Sequence, residues 1–211
     1  MMSILLLIPL IIGQYDFTIA RLKYHGGGDW YSDPSSLPNL CAALNERTNI
    51  KAAPREDVIE ITDPELFKYP YLYMTGHGTV RFSEEEVKVL RKYFSAGGFL
   101  HADDNYGMDS TFRHEIQKIF PDSPLTELPF DHPIYHSYYD FPNGLPKIHE
   151  HDNKPPQGFG IIYDDRLVVF YTYECDLGDG WEDPHVHNDP AEKHEAALQM
   201  GINIIVYCLT Q

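Results

Sequence analysis

A strand, a capped helix and a second strand follow one another between residues 71 and 102. Residues 71–75 (YLYMT) form an apolar run bounded by a proline and a glycine, which is typical of a buried parallel strand. Ser83 and Glu86 form a capping box that predicts the start of a helix, and two glycines at 97–98 end it. Because antiparallel neighbours need only a short turn, this long helical connection predicts parallel strands with the helix packed on their sheet.

The same alternation of strand and helix extends along most of the chain. The predicted strands are residues 16–24, 58–61 and 99–102, the predicted helices are 34–47, 110–120 and 192–209, and 158–163 with 166–171 form a β-hairpin. Residues 122–157 are rich in proline, tyrosine and histidine and lack helical periodicity, so we expect a long irregular insertion. The pattern predicts an α/β fold with a mostly parallel sheet and helices on both faces.

The charge of the chain limits its partners. The formal net charge is −16 and the calculated pI is about 4.9. A protein that binds nucleic acid without sequence preference, or adheres to an anionic membrane, needs a basic surface, so we expect neither kind of partner. The three cysteines are too few and too widely spaced for a disulfide framework or a cysteine-type zinc site.

The first thirteen residues are interpreted separately from the rest. The apolar run 4–12 is too short to span a bilayer and has the length of the apolar region of a secretory leader. The alternative is a buried N-terminal strand, although Pro9 fits poorly there. We therefore expect a leader at residues 1–13, a single domain at residues 14–211, and a periplasmic or extracellular location.

Polar residues cluster where the predicted strands end. In parallel α/β sheets, ligands bind at the carboxyl ends of the strands. The candidate ligand-binding residues at these ends are Gly26, Gly27, Asp29, Trp30, Gly76 and Asn105. The glycines lack the spacing of a dinucleotide or Walker motif, and a tight turn explains them better than nucleotide binding does. Three aromatic residues near these ends, Trp30, Tyr106 and Trp181, suit either sugar stacking or ordinary packing.

The same strand ends supply candidate metal ligands. His25, His77, His101 and Asp103 carry nitrogen and oxygen donors suited to a divalent ion such as zinc. Two further H-x-H pairs, His149 with His151 and His185 with His187, add candidates that are equally compatible with solvated loops. The alternative roles are a turn residue for His77, a hydrogen-bonded core residue for His101, and helix capping for the aspartates.

Catalytic residues are predicted only for a hydrolytic reaction. His101 would act with the metal, and Asp104 or Glu174 would be the general base. The chain contains no G-x-S-x-G nucleophile elbow. Cys175 lies between Glu174 and Asp176, and these carboxylates would raise the pKa of its thiol, which disfavours a nucleophile.

Four segments resemble an uncharacterised bacterial family, domain of unknown function 4159. They are YLYMTGHGTVRFSEEEVKVLRKYFSAGGFLHADDNYG, FDHPIYHSYY, ECDLGDGW and AALQMGINIIVYCLT. The resemblance implies a flavodoxin-like doubly wound sheet related to the class I glutamine amidotransferase-like fold, and a role in the cell envelope. That superfamily has a nucleophilic cysteine after a central strand, whereas residues 100–104 here read LHADD, so no glutaminase activity is expected.

Three functions follow from these observations. The first is a binding or accessory module of the bacterial envelope, whose His/Asp pocket takes a small polar or carbohydrate-like ligand or serves an envelope protein. The second is a metal-dependent hydrolase that uses the same residues. The third is a degenerate domain that only mediates protein interactions. The fold alone does not choose among them.

Overall fold

The computed structural model describes residues 15–211, and the predicted leader at residues 1–13 lies outside the described residues. A seven-stranded sheet forms the centre of the domain. Its strands are β1 (Ala20–Lys23), β2 (Asp57–Glu60), β3 (Tyr71–His77), β4 (Phe99–Tyr106), β5 (Thr126–Glu127), β6 (Gln157–Tyr163) and β7 (Arg166–Tyr173). Their order across the sheet is β2-β1-β3-β4-β7-β6-β5.

The sheet is mostly parallel, as the sequence predicts. Strands β2, β1, β3, β4 and β7 run parallel to one another, and β6, antiparallel to both β7 and β5, forms an antiparallel edge. The helices are α1 (Ser36–Arg47), α2 (Glu84–Ser95), α3 (Asp109–Ile119), α4 (Leu177–Trp181), α5 (Pro184–His187) and α6 (Ala191–Thr210). The mixed α/β class is therefore confirmed. None of the helices between residues 15 and 211 combines the length and apolarity needed to cross a bilayer.

Two apolar cores lie on opposite faces of the sheet. One contains residues of α1 and α6, such as Leu40 and Ile204, packed against Tyr71 of β3. The other contains residues of α2 and α3, such as Leu90 and Phe112. Because helices cover both faces, the central strands are buried on both sides and can be apolar along their whole length.

The capping box predicted at the start of α2 is present. The Ser83 hydroxyl accepts a hydrogen bond from the Glu86 N–H, and the Glu86 carboxylate accepts one from the Ser83 N–H at 2.6 Å. These two bonds satisfy N–H groups that a helix leaves free in its first turn. The start of α2 is thus fixed by residues recognisable in the sequence.

One buried side chain of α6 makes three hydrogen bonds to the backbone of the irregular segment 122–157. The Asn203 carbonyl oxygen accepts hydrogen bonds from the N–H groups of Tyr138 and Tyr139, and its amide donates to the Tyr139 carbonyl at 2.8 Å. Asn203 is completely buried. A segment without a regular hydrogen-bond ladder therefore has its backbone groups satisfied by a side chain.

Candidate functional site

Strand β4 is longer than the sequence predicts, and this decides where its polar residues lie. The apolar pattern predicts an end at residue 102, whereas the strand continues to Tyr106 between β3 and β7. Side chains alternate across a strand, so His101, Asp103 and Asn105 lie on the α1/α6 face and Asp104 lies on the other. Residues that the sequence places together at one strand end are therefore divided between two faces.

His101 lies within the α1/α6 core. Its side chain is fully buried, Nδ1 is 2.9 Å from the Tyr71 hydroxyl, and Nε2 is 3.0 Å from the Thr172 hydroxyl. Thr172 donates its one hydroxyl hydrogen to Asp103, so the Nε2–H of His101 donates to Thr172 and Nδ1 accepts from Tyr71. Burial lowers the pKa of His101 to about 3, which keeps the ring neutral. This environment matches the hydrogen-bonded core histidine that the sequence left as the alternative.

Asp103 is buried beside the first turn of α4. Its carboxylate accepts hydrogen bonds from the Thr172 hydroxyl at 2.5 Å and from the Gly178 N–H at 2.7 Å. Burial raises the pKa of Asp103 to about 7, although both hydrogen bonds oppose this rise. A side chain at Gly178 would place its Cβ 2.7 Å from both the Tyr73 hydroxyl oxygen and an Asp33 carboxylate oxygen. The hydrogen bond from the Gly178 N–H to Asp103 thus depends on a glycine at this position.

Asn105 joins two carboxylates that are far apart in sequence. Its amide donates to Asp33 at 2.6 Å and to Asp179 at 3.3 Å, and its carbonyl oxygen accepts from the Thr75 hydroxyl at 2.9 Å. Burial raises the pKa of Asp33 to about 8, and the nearby Asp179 adds to the rise. Asn105, predicted to bind ligand, here organises the aspartates around it.

The loops after β1 and β3 pack against each other. The Gly28 N–H donates to the Thr79 carbonyl at 3.0 Å, and the Asp29 N–H donates to the His77 carbonyl at 3.3 Å. A Cβ at Gly26 would lie 2.5 Å from the Thr79 carbonyl oxygen. A Cβ at Gly76 (φ +141°) would lie 2.5 Å from the Tyr24 hydroxyl oxygen, whereas Gly27 has open space around it. Gly26 and Gly76 therefore serve close packing of the two loops.

The four predicted metal ligands are not brought together. His77 pairs with Asp29, with 3.1 Å between Nδ1 and Oδ2, and the exposed His25 lies 3.8 Å from Glu86. His101 and Asp103 are completely buried, because β4 continues past them to Tyr106. Trp30 is half-buried, packs edge-on against Tyr31 and contacts the core that contains α2 and α3.

A different set of candidate ligands does converge. Across the described part of the chain, one group of at least three such side chains has its ligand atoms within 4.8 Å of one another, namely His149, Asp179 and His187. His149 Nδ1 is 2.9 Å from Asp179 Oδ2, and its Nε2 is 3.0 Å from Asp189 Oδ2. Hydrogen bonds to Asp176 and Asp179 raise the pKa of His149 to about 10. His149, Asp179 and His187 are called the histidine–aspartate cluster below.

Asp176 connects this cluster to the neighbouring surface. Its Oδ2 lies 2.5 Å from His151 Nε2 and 3.4 Å from His149 Nδ1, while its buried Oδ1 has no partner. The His151 ring stacks on Tyr106 with 4.5 Å between the ring centroids. Tyr106 in turn lines a cleft at the carboxyl ends of β4 and β7.

The cleft has a volume of about 280 Å³ and an acidic lining. Four carboxylates and two tyrosines define this acidic cleft: Asp104, Tyr106, Asp109, Asp152, Tyr173 and Glu174. Asp104 accepts hydrogen bonds from the Met108 N–H at 3.0 Å and the Tyr171 hydroxyl at 3.1 Å, yet burial raises its pKa to about 6. Glu174 has a left-handed backbone (φ +59°) and pairs with Lys147 at 2.9 Å. The two predicted general bases therefore line one cleft.

A family model described as a domain of unknown function (DUF4159) matches residues 18–209. The chain belongs to the DUF4159 family. The match includes every residue of the acidic cleft and of the histidine–aspartate cluster. No curated protein sequence matches the chain. The family description names no activity, so the functional argument for this DUF4159 domain depends on the geometry of these two groups.

Several residues of the DUF4159 site escape sequence reasoning. The residues not predicted as site residues are Asp33, Asp109, Asp152, Tyr173, Asp176, Asp179 and Asp189. The sequence predicts Asp33 as a helix cap. Asp152 and Asp189 lie in segments without hydrophobic periodicity, so the sequence pattern does not place them near a strand end. The H-x-H pairs were the available indication, because one histidine of each pair enters the cluster. Trp181, considered for sugar stacking, is completely buried in the core.

Proposed function

We propose that this DUF4159 domain binds a small ligand rich in hydroxyl or amino groups, such as a monosaccharide or an amino sugar, in the acidic cleft. The observation that carries the proposal is the convergence of four carboxylates and two tyrosines around one 280 Å³ cleft at the carboxyl end of the sheet. Open α/β sheets bind ligands at this end. The volume is near the lower limit of the roughly 300–1,000 Å³ of small-molecule pockets, which suits one sugar ring.

The charges in the cleft favour a ligand with hydrogen-bond donors. Three of the carboxylates have basic partners, since Glu174 pairs with Lys147, Asp152 with Lys154, and Asp109 with Arg113. Among residues 15–211, Asp104 forms no ion pair with lysine or arginine. An ionised carboxylate only accepts hydrogen bonds, so the group that meets Asp104 must donate one.

The two tyrosines suit the apolar face of a sugar ring. Tyr106 is 47% exposed and its hydroxyl donates to Asp152 at 3.2 Å, while the Tyr173 hydroxyl accepts from Lys154 at 2.8 Å. Hydroxyls held in this way orient the rings along the cleft wall. Aromatic rings offer apolar contact area while their hydroxyls stay hydrogen-bonded.

The relationship to the glutamine amidotransferase-like fold is part of the same proposal. The order β2-β1-β3-β4, continued by β7, follows the flavodoxin-like order 2-1-3-4-5 and supports it. Glutaminase chemistry is not proposed, because no cysteine lies in residues 100–104. The nearest alternative, Cys175, is fully buried, and burial raises the pKa of its thiol well above the ordinary value.

An extracytoplasmic location and an accessory role in the cell envelope complete the proposal. They are supported by the apolar run 4–12 and by the resemblance of the chain to envelope-associated members of its family. Fractionation of cells that produce the tagged full chain tests the location. Recovery with the periplasmic or external fraction supports the proposal, and recovery with cytoplasmic markers contradicts it.

The binding proposal is tested by calorimetric titration with glucosamine and glucose. We expect saturable binding of at least one sugar, weakened about tenfold or more by Asp104→Asn, which removes the charge but keeps an acceptor for the Met108 N–H. Asp122→Asn is the matched control, since Asp122 is exposed just beyond the far end of α3. Absence of binding to the parent protein at millimolar sugar, or equal loss in both variants, contradicts the proposal.

A hydrolytic function is the second candidate. It is favoured by the pKa of Asp104, which burial raises to about 6 in a cleft that also contains Glu174. A carboxyl group with such a pKa can hold or release a proton near neutral pH. Release of nitrophenol from nitrophenyl glycosides, lost in Asp104→Asn and retained in Asp122→Asn, would favour hydrolysis over simple binding.

A further inference from the structure

The histidine–aspartate cluster has the composition and spacing of a transition-metal site. Its ligand atoms come from three segments: His149 from the irregular insertion, Asp179 from α4 and His187 from α5. In a tetrahedral zinc site with bonds of about 2.0–2.2 Å, neighbouring ligand atoms lie roughly 3.3 Å apart. The separations here are 2.9 Å between His149 Nδ1 and Asp179 Oδ2 and 3.8 Å between His187 Nε2 and Asp179 Oδ1. One ligand atom from each of the three residues lies within 4.8 Å of the other two, so side-chain adjustments would have to close the set around one ion.

A second observation points to a cation at the same place. Asp176 is completely buried, and its Oδ2 lies 3.4 Å from Nδ1 of His149. The other oxygen of that carboxylate, Oδ1, has no hydrogen-bond partner. Buried carboxylate oxygens without a partner are rare in folded proteins. A metal ion, or a water molecule bound to it, would supply the missing interaction.

The charges around the cluster are not balanced by lysine or arginine. Four carboxylates approach its histidines: Asp176, Asp179, Glu182 and Asp189. Within the described residues, every ion pair of these four carboxylates is with a histidine. Protons on the histidines or on the carboxyl groups, or a bound divalent cation, must therefore compensate the negative charge.

Asp189 orients His149 for metal binding. Its carboxylate lies 3.0 Å from Nε2 of His149, on the side of the ring away from Asp179. Nδ1 faces the Asp179 carboxylate at 2.9 Å and therefore carries a proton in this structure. A metal ion that displaced this proton would meet the Nδ1 lone pair, while Asp189 would still accept the Nε2–H. Carboxylates commonly orient metal-binding histidines in this manner. The contact between Asp189 and His149 does not depend on which ligand the acidic cleft binds.

We infer that His149, Asp179 and His187 bind a zinc-class divalent ion, with Asp189 as the residue that positions His149. Two imidazoles and one carboxylate favour zinc or a similar transition metal over calcium or magnesium, which prefer oxygen ligands alone. Three protein ligands leave a fourth position open for water or a ligand atom. A chain of contacts links the site to the acidic cleft, because Asp176 lies close to both His149 and His151, and His151 stacks on Tyr106.

The test is titration of metal-free protein with Co²⁺, followed by visible absorption, and then by displacement with Zn²⁺. We expect one ion per chain, visible absorption bands of low-coordinate Co²⁺, and their loss on addition of Zn²⁺. His187→Ala should weaken binding by about 100-fold or more, and Asp189→Ala by about 10- to 100-fold. Helix α5 has no buried residues, so His187→Ala is expected to fold.

His185→Ala is the matched control. His185 lies on the same short helix as His187 but outside the cluster, so its removal should leave Co²⁺ binding unchanged. Less than about one-tenth of an equivalent of metal in the parent protein, or the same loss of affinity in His185→Ala and His187→Ala, would overturn the inference. The readout needs no sugar, so its failure and the failure of the binding proposal are separate results.

Discussion

The Gly178 N–H donates a hydrogen bond to the carboxylate of Asp103 at 2.7 Å, which fixes the first turn of α4 to the central strand β4. The same turn carries Asp179, the acidic member of the histidine–aspartate cluster. One backbone contact thus positions a candidate metal ligand relative to the sheet.

Substitution of Gly178 tests this contact. Gly178→Ala should lower the free energy of unfolding by about 1–3 kcal/mol, because the new Cβ would lie 2.7 Å from both Asp33 Oδ2 and the Tyr73 hydroxyl. Tyr73→Phe removes the hydroxyl that the new Cβ would meet, and because this hydroxyl has no hydrogen-bond partner, its removal should cost little by itself. The double variant should therefore recover part of the unfolding free energy that Gly178→Ala loses. Urea denaturation of the four proteins measures this coupling, and strictly additive effects would show that Tyr73 is not the obstacle.

His101 should make the protein sensitive to acid. Its pKa is about 3 in the folded chain and ordinarily 6.5, so the unfolded chain takes up the proton first. The stabilisation of the folded chain by neutral His101 is complete above pH 6.5 and is lost as the pH falls towards 3. Between pH 7 and pH 5, the parent should lose about 2 kcal/mol more unfolding free energy than His101→Gln. Equal losses in urea denaturation of the two metal-free proteins would contradict the low pKa.

Ligand binding in the acidic cleft should depend on the ionisation of Asp104. Because its pKa is raised to about 6, the carboxylate is mostly ionised at pH 7 and mostly protonated at pH 5. Affinity for glucosamine should therefore fall about tenfold over this range. Calorimetry at both pH values measures the fall, and Asp104→Asn should bind weakly at both. A pH dependence that persists in Asp104→Asn would assign it to another group.

Asn203 should determine whether the irregular segment stays packed on α6. Asn203→Ala removes the partners of two backbone N–H groups and one carbonyl, so a loss of about 2–4 kcal/mol in unfolding free energy is expected. Limited proteolysis should then cut near Tyr138 and Tyr139. Gln199→Ala, on the same helix, should cost less than about 0.5 kcal/mol and leave the segment resistant. Cleavage that is unchanged in Asn203→Ala would mean that other contacts hold the segment.

The longer helices and the central strands are predictable from the sequence, whereas β5, α4, α5 and the end of β4 are not. The capping box at Ser83 and Glu86 and the apolar runs carry enough local information to place α2 and its flanking strands. Asp103, Asp104 and Asn105 disfavour a strand locally, yet they extend β4 because β3 pairs with it as far as Tyr106 and β7 pairs with it as far as Asp103. Tertiary pairing overrides propensity here, and it moves His101 from a strand end into the core.

The candidate site is less predictable than the sheet. Asp104 and Glu174 are found by strand-end reasoning because each lies within two residues of the end of a strand. His149 and His187 belong to segments whose sequences show no helical or strand periodicity. Their positions relative to Asp179 therefore become known only from the structure. The H-x-H pairs identify histidines as candidate metal ligands, but they do not indicate that Asp179 is the third ligand.

The two outer strands of the sheet are short, with four residues in β2 and two in β5. Their side chains include Asp57, Glu60 and Glu127, all exposed. Such edges offer few unpaired backbone groups and repel a second acidic chain. Strand-by-strand addition of further copies is therefore disfavoured at both edges, which protects the folded domain from growing into sheet aggregates at high concentration.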